Sequence, residues 1–460
     1  MNTTIAKKFL LDPRVAQAKA HLLQVLSEYQ EVITGVRPPR VEWRKSYEEV
    51  LTEFGQLRGA PLFFSYLGSG IGKGPLVELE DGSIKYDFIS GIGVHHFGHS
   101  HPAIVGALLD AALNDIPMQG NLQQNQKSVE VAKLLLSGAT RNGARLEHCF
   151  FSTSGAMANE NALKAIFQKK EPRSRILAFE GCFAGRTLAL SQITDKSAYR
   201  VGLPSCMSVD YVPFFDVERP QESIKSSVAH LKRHIHRYPR MHAAMIFELV
   251  LGEGGFYAGT REFFVELMEV LREHDIAIMV DEIQTFSRTT ELFAFQCFGL
   301  DPYVDVVTVG KSAQVCATLF RDEFNPKPGL LSQTFTASTS ALYACDVIIR
   351  GLTNGDYFGP EGKIARFHDY FADNLESIGR RNPGSVSGPF GFGAMIAFTP
   401  FGGNPEKTKK LLYELFDAGV IAFYAGRDLN RIRFLLPIAA IDFTDIDAVC
   451  GILEQAMVGR

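Results

Sequence analysis

Val304-Asp305-Val306-Val307-Thr308-Val309-Gly310-Lys311 is the stretch on which the fold turns. β-Branched residues in near-continuous succession read as a strand buried on both faces, as in a parallel sheet. Such a strand delivers Lys311 to its tip. An ammonium there is costly unless it is paired, deprotonated or used covalently, so the residue reads either as a Schiff-base lysine or as a strand-end lysine that snorkels to solvent. A second apolar run, over 276–280, ends in Asp281-Glu282-Ile283-Gln284 and carries a carboxylate and an amide to another strand tip.

Working outward, strand and helix patterns alternate from about 145 to 320. Candidate strands lie at 148–151, 175–179, 209–212, 243–247, 276–280, 304–309 and 316–320, with helices near 156–169, 222–236 and 261–274. Apolar strands alternating with helices predict an α/β unit whose mainly parallel central sheet is covered on both faces. Ligands collect beyond the carboxyl ends of such strands. A helix near 338–353 leads to a smaller α+β unit, with strands around 394–399, 420–424 and 431–436 and helices near 361–378, 405–418 and 443–456.

The chain therefore divides into an N-terminal helical and loop segment over 1–75, a large domain over 76–340 and a small C-terminal domain over 341–460, the last two forming a cleft. Within the first segment, 15–29 has helical apolar spacing, Arg37-Pro38-Pro39-Arg40 interrupts the chain, and 68–74 reads as a glycine-rich hinge. Asp81-Gly82 between two apolar runs signals a hairpin.

A length of 460 residues exceeds what one core supports, in keeping with two or three domains. Apolar content of 46% with 21% charged residues argues against disorder. The net charge of -4 gives no field for nucleic acid or an anionic membrane, and the basic stretch over 230–237 reads as a solvated helix face. Seven cysteines, an odd number without a CxxC pair, argue against a disulfide framework and for a reducing compartment. With no long apolar segment or signal-peptide pattern, the expected location is cytoplasmic. His95, His96, His99 and His101 crowd one loop, but zinc sites usually need three or four convergent ligands with cysteine or carboxylate partners, so no metal is expected.

Ser154-Gly155-Ala156 follows one candidate strand and opens a helix. Small residues at such a turn admit an anion to backbone amides at the positive end of the helix dipole, and Ser beside Gly is equally common as a plain helix cap. Asp281 is placed to pair with a protonated ring nitrogen, or to cap a helix. Gln284 can donate to an oxygen on the same ring. An amine, an anion for a pyridinium and a phosphate cradle are together what pyridoxal phosphate requires.

With these residues in view, the chain resembles class III (ω-type) pyridoxal-phosphate aminotransferases of fold type I over roughly residues 76–455. The stretches that carry the resemblance are Gly91-Ile92-Gly93-Val94 with Gly98-His99-Ser100-His101-Pro102, the run from Ser154 to Lys164, Gly185-Arg186-Thr187, the run from Glu248 to Gly255, Asp281-Glu282-Ile283-Gln284-Thr285, Gly310-Lys311 and Arg431-Ile432-Arg433-Phe434. Gly310-Lys311-Ser312-Ala313-Gln314-Val315-Cys316 and Glu160-Asn161-Ala162-Leu163-Lys164 are most similar to lysine ε-aminotransferases.

The resemblance implies that Lys311 forms the Schiff base and shuttles the substrate proton, that Asp281 keeps the pyridine nitrogen protonated, and that Gln284 bonds the ring hydroxyl. It further implies phosphate binding by Gly155, Ala156 and the Ser154 side chain, and ring stacking by Phe183. Thr336 would reach the phosphate of a neighbouring subunit, so the active unit would be a homodimer. Arg433 and Arg186 would bind substrate carboxylates, with Glu253 neutralising Arg433 while an ω-amino donor is bound and swinging away for 2-oxoglutarate. The implied function is transfer of an amino group from a lysine- or ornithine-like donor to 2-oxoglutarate by a ping-pong route. The alternatives are a racemase or epimerase of the same fold and a non-catalytic relative acting as a scaffold.

Several positions depart from the family pattern. Ala184 stands where histidine is usual and opens space beside the ring, whereas Phe286 replaces a glycine and is expected to fill the substrate pocket with apolar bulk. Ala337-Ser338-Thr339-Ser340 follows Thr336 where a glycine-rich turn is common.

Overall fold

A computed structural model describes residues 4–426 and 429–458. The stretch ending in Lys311 forms the strand Val306–Val309, buried at all four residues. It starts two residues later than the apolar run because Asp305 turns outward, accepting from Ile278 N (2.9 Å) and Arg321 Nη1 (2.8 Å).

This strand lies inside a seven-stranded sheet in the order His148–Ser152, Cys316–Phe320, Val306–Val309, Ala277–Glu282, His242–Phe247, Arg175–Phe179 and Ser208–Val212. Cys316–Phe320 runs antiparallel to both its neighbours. The pairings from Val306–Val309 through to Ser208–Val212 are parallel. Fold type I is thus met by a sheet of mostly parallel strands with helices such as Gly155–Lys169, Pro220–Arg237 and Arg261–Glu273 in its crossovers. Phenylalanines fill the space beneath the helices, with Phe263 and Phe264 fully buried and their centroids 5.3 Å apart. Each buried ring contributes on the order of 1.5–3 kcal/mol.

A second core gathers Phe371, Leu415, Phe434 and Leu453 from the C-terminal region with Leu76, Ile84, Tyr86 and Phe88 from near the start. The expected strand at 420–424 divides to make this join. Val420–Ile421 pairs in parallel with Tyr86 and Asp87, and Phe423–Ala425 pairs with Arg431–Leu435 in a separate antiparallel sheet.

The glycine-rich hinge expected over 68–74 is corrected by the structure, since Gly68–Lys73 is a strand paired with Leu76–Leu79. Partners elsewhere in the fold offset the entropy of its glycines, because Gly72 N donates to Ser100 Oγ (3.1 Å) and Gly72 O accepts from Gln30 Nε2 (2.7 Å). Among the described residues, no helix is long and apolar enough to cross a membrane.

Candidate active site

The carboxyl ends of the parallel strands converge on a cavity of about 450 Å³. Lys311, Asp281, Gln284, Gly155, Ala156, Phe183, Arg186 and Glu253 all line it. Ser154, Thr336 and Arg433 lie outside the lining.

Lys311 follows the strand at φ +49°, and Gln314 at φ +61° completes the reversal into the antiparallel strand. A non-glycine residue in the left-handed region costs on the order of 1–3 kcal/mol and persists where its surroundings enforce it. The side-chain amide of Gln314 donates to Val94 O (2.8 Å) and fastens the turn. Burial, and then the positive charge of Arg433, push the Lys311 amine down to about 8. That raises the neutral fraction near physiological pH well above that of an ordinary lysine, and the neutral amine is the form that acts as a nucleophile or proton acceptor.

Asp281 sits in register with Thr308 on the adjacent strand. Thr308 Oγ1 donates to Asn159 Oδ1 (2.8 Å), and Asn159 Nδ2 donates both to Asp281 Oδ2 (2.7 Å) and to Ala184 O (2.8 Å). Ile283 N holds the other Asp281 oxygen at 2.9 Å. Burial pushes Asp281 up to about 6 against these donors. At neutral pH the group is thus an oriented carboxylate in a poorly solvated place, with no cation bonded to it among the described residues.

The helix Gly155–Lys169 starts at the same end of the sheet. Ser154 caps it at the rim, its hydroxyl oxygen accepting from Met157 N at 3.2 Å while the O–H stays able to donate. The amides of Gly155 and Ala156 precede the first intrahelical acceptor and line the cavity. A Cβ on residue 155 would lie 2.9 Å from Ile283 Cγ2, so glycine is needed for the helix to come this close. Asn159 is one turn further along, so the anion cradle and the residue that orients Asp281 share a helical face.

Arg433, fully buried, ion-pairs through Nη2 with Glu253 and donates Nη1 to Gly252 O at 3.1 Å. Burial pushes Glu253 up, and Arg433 outweighs it, leaving the carboxyl below its ordinary value. Arg186 is exposed at the mouth of the cavity, its guanidinium 3.9 Å from the Tyr199 ring centroid, without a carboxylate partner among the described residues.

Two lining residues escaped the sequence analysis as functional groups. Asn159 is recognisable only once helix and sheet are docked. Glu248 directly follows the strand His242–Phe247, the type of position that singled out Asp281 and Lys311. Its oxygens accept from Phe183 N (2.7 Å) and Gly252 N (3.0 Å), tying the loop of Phe183 to the loop of Glu253. Burial, reinforced by Asp281, pushes it up to about 8.

The expectation for Phe286 is overturned. Its ring is fully buried in the large core, edge-on to Phe293 at 5.0 Å, and lines no part of the cavity. The turn after Gln284 directs position 286 away from the strand tips, so apolar bulk there packs the sheet. Ala184 does line the cavity and leaves room beside Phe183.

A phosphorylated pyridine aldehyde fits this donor set. The cavity offers an amine without a hydrogen-bond partner among the described residues, a carboxylate awaiting a cation and free amides at a helix start. The Thr336 hydroxyl is also buried without a partner among the described residues.

The family model for class-III aminotransferases matches residues 69–457. The chain is 26% identical to an acetylornithine aminotransferase of Caldanaerobacter subterraneus subsp. tengcongensis, over 84% of this chain and 93% of the relative. It is 29% identical to a succinylornithine transaminase of Photorhabdus laumondii, over 84% and 92%. A lysine aminotransferase from M. tuberculosis shares the fold with a TM-score of 0.78 at 22% identity, covering 88% of this chain and 99% of the other. An aminotransferase from Bacillus anthracis gives 0.79 at 20%, over 90% and 99%. With the family matched across both cores and the cavity furnished for its cofactor, the chain belongs to the class-III aminotransferases and is a pyridoxal-phosphate-dependent transaminase.

Proposed function

We propose that the protein moves a terminal amino group from a lysine- or ornithine-like donor to 2-oxoglutarate in two alternating half-reactions. The observation that carries this reading is the Glu253–Arg433 ion pair at the cavity that holds Lys311 and Asp281. A buried guanidinium masked by a movable carboxylate suits an enzyme that must accept an aliphatic ω-amine in one half-reaction and a second carboxylate in the next. The relatives named for acetylornithine, succinylornithine and lysine all act on compounds that end in a primary amine, in keeping with this donor class.

Pyridoxal phosphate, when bound, supplies an aldehyde for amine exchange and a ring that takes up electrons. Lys311 Nζ serves as the amine on which the aldehyde is held and as the base that moves the substrate proton. Asp281 would hold a proton on the ring nitrogen, Gln284 would donate to the ring hydroxyl, and Phe183 would stack on the ring. Gly155 and Ala156 would bind the phosphate with their amides, with Ser154 at the rim. Arg186 takes the carboxylate at the far end of the donor. Thr336, away from its own chain's cavity, is assigned to the phosphate of a second copy, which makes the working unit a homodimer with sites at the subunit interface. The seven free cysteines fit a reducing, cytoplasmic setting.

A screen of amine donors against 2-oxoglutarate and pyruvate tests the reading. Bleaching of the visible band by an ω-amine and its return with 2-oxoglutarate supports it; exchange of the α-proton with no keto product would instead indicate a racemase, and a colourless protein that takes up no cofactor a scaffold.

Arg433→Ala should raise the KM for 2-oxoglutarate about 10- to 100-fold with a smaller effect on the ω-amine donor. An unchanged KM would assign that carboxylate to another group. Asn159→Ala removes a donor that favours ionised Asp281, so Asp281 titrates higher still and the acid limb of the kcat profile moves to higher pH. The loss of one charge-assisted hydrogen bond corresponds to about tenfold in kcat near neutrality; an unmoved limb would show that Asn159 does not tune Asp281.

A further inference from the structure

Arg431 and Arg433 are two residues apart on the strand Arg431–Leu435 and so point to the same face. Both are buried, and both reach the turn that carries Glu253. Arg433 Nη1 donates to Gly252 O (3.1 Å), and Arg431 Nη1 donates to Gly255 O (2.6 Å). Between them, Glu253 O accepts from Gly426 N at 3.1 Å. Three carbonyls of a four-residue turn are thus held from the smaller core's side of the cleft.

Arg431 is itself wedged between two rings, its guanidinium 4.0 Å from the Tyr257 centroid and 3.6 Å from that of Phe390. Gly255 has φ +114°, and a Cβ on it would lie 3.3 Å from Arg431 Cδ, so glycine lets the arginine lie against the turn. A planar guanidinium clamped between aromatic faces in a water-poor place keeps one orientation, which an ammonium on a flexible stem does not.

The proposed cycle asks Glu253 and Arg433 to separate whenever a dicarboxylic acceptor enters. When Arg433 turns to the incoming carboxylate, its grip on the turn is disturbed, whereas the Arg431 bond to Gly255 is untouched.

We propose that Arg431 is a positioning residue for the Glu253–Arg433 switch, pinning the Gly252–Gly255 backbone so that the ion pair opens by rotation of the Glu253 side chain while the pocket wall stays in place for a dicarboxylic 2-oxo acid. The inference rests on the reading of Arg433 as the acceptor's carboxylate site. It assigns Arg431 no contact with substrate, since its guanidinium is taken up by Gly255 O and the Tyr257 and Phe390 rings.

The test measures the two half-reactions separately on the holoenzyme, by absorbance after mixing with the amine donor or with 2-oxoglutarate. Arg431→Met should weaken half-saturation by 2-oxoglutarate about tenfold, the scale of one charge-assisted hydrogen bond, while the donor half-reaction stays within about twofold. Arg431→Lys should fall between wild type and Arg431→Met. Tyr257→Leu, which removes one face of the clamp and leaves the Gly255 bond, should shift the acceptor half-reaction in the same direction by less. Equal weakening of both half-reactions, or an unchanged acceptor constant in a folded Arg431→Met protein, overturns the role. If Arg431→Met does not fold, the lysine and Tyr257 variants decide, and an unchanged acceptor constant in both overturns it. A wild-type protein with no acceptor half-reaction for any 2-oxo acid overturns the functional reading, and with it this inference, whereas an active wild type with insensitive variants overturns the Arg431 role alone.

Discussion

Lys311→Ala should reduce kcat by about 10³-fold or more, the scale set by removing a positioned nucleophile and proton carrier together. The visible absorption of the reconstituted protein should change as well, because no side-chain amine remains to hold the aldehyde. Position 311 is enforced from several sides. Its backbone is left-handed, the neighbouring turn is tied through Gln314 to Val94, and burial and Arg433 lower its amine to about 8. Among the described residues no other lysine lines this cavity, so no rescue from within the site is expected. Alanine at a φ of +49° remains strained but fits, so the variant should fold, and its spectrum and rate can be read directly. Turnover within tenfold of wild type would remove Lys311 from the chemistry.

Asp281→Asn should leave the cofactor bound and lower kcat by about 10²- to 10³-fold, comparable with the loss of one preorganised electrostatic group. The amide keeps the size of the carboxylate and can still accept from Ile283 N, but it carries no charge to hold a proton on the ring nitrogen. The pH profile supplies an independent check. A carboxyl pushed up to about 6 by burial is ionised above that pH and protonates as the pH falls through it. Wild-type kcat should therefore decline on the acid side at or below about pH 6, since a bound cationic ring favours the ionised form further. In Asp281→Asn that limb should vanish. Near-wild-type turnover, or an acid limb that survives the substitution, would assign the ring nitrogen to another group.

The strand tips were legible in the sequence because continuous apolar runs ending in Lys311 and Asp281 have few alternatives in a covered parallel sheet. The hairpin at Asp81-Gly82 was legible from turn chemistry. What the sequence withheld depends on docking between distant segments. The path from Thr308 through Asn159 to Asp281 exists only after the helix Gly155–Lys169 settles on the strands. Phe286 was misplaced because the direction of a side chain beyond a strand end is set by the turn, which periodicity does not report. Gly68–Lys73 looked like a hinge because the partners of its backbone, Gln30 and Ser100 among them, lie outside the local window. Glu248 was within reach of the sequence argument, at the end of a strand like its two neighbours.

The parallel pairing of Val420–Ile421 with Tyr86 and Asp87 bears on how the polypeptide is born. The larger core is assembled from residues between Val131 and Ile349, so all of its pieces are synthesised before the last hundred residues. Leu76, Ile84 and Phe88 emerge early, and their greasy sides stay uncovered until the final helices and strands arrive. Synthesis that stalls between the two cores, past Ile349, leaves that early β-structure without its cover.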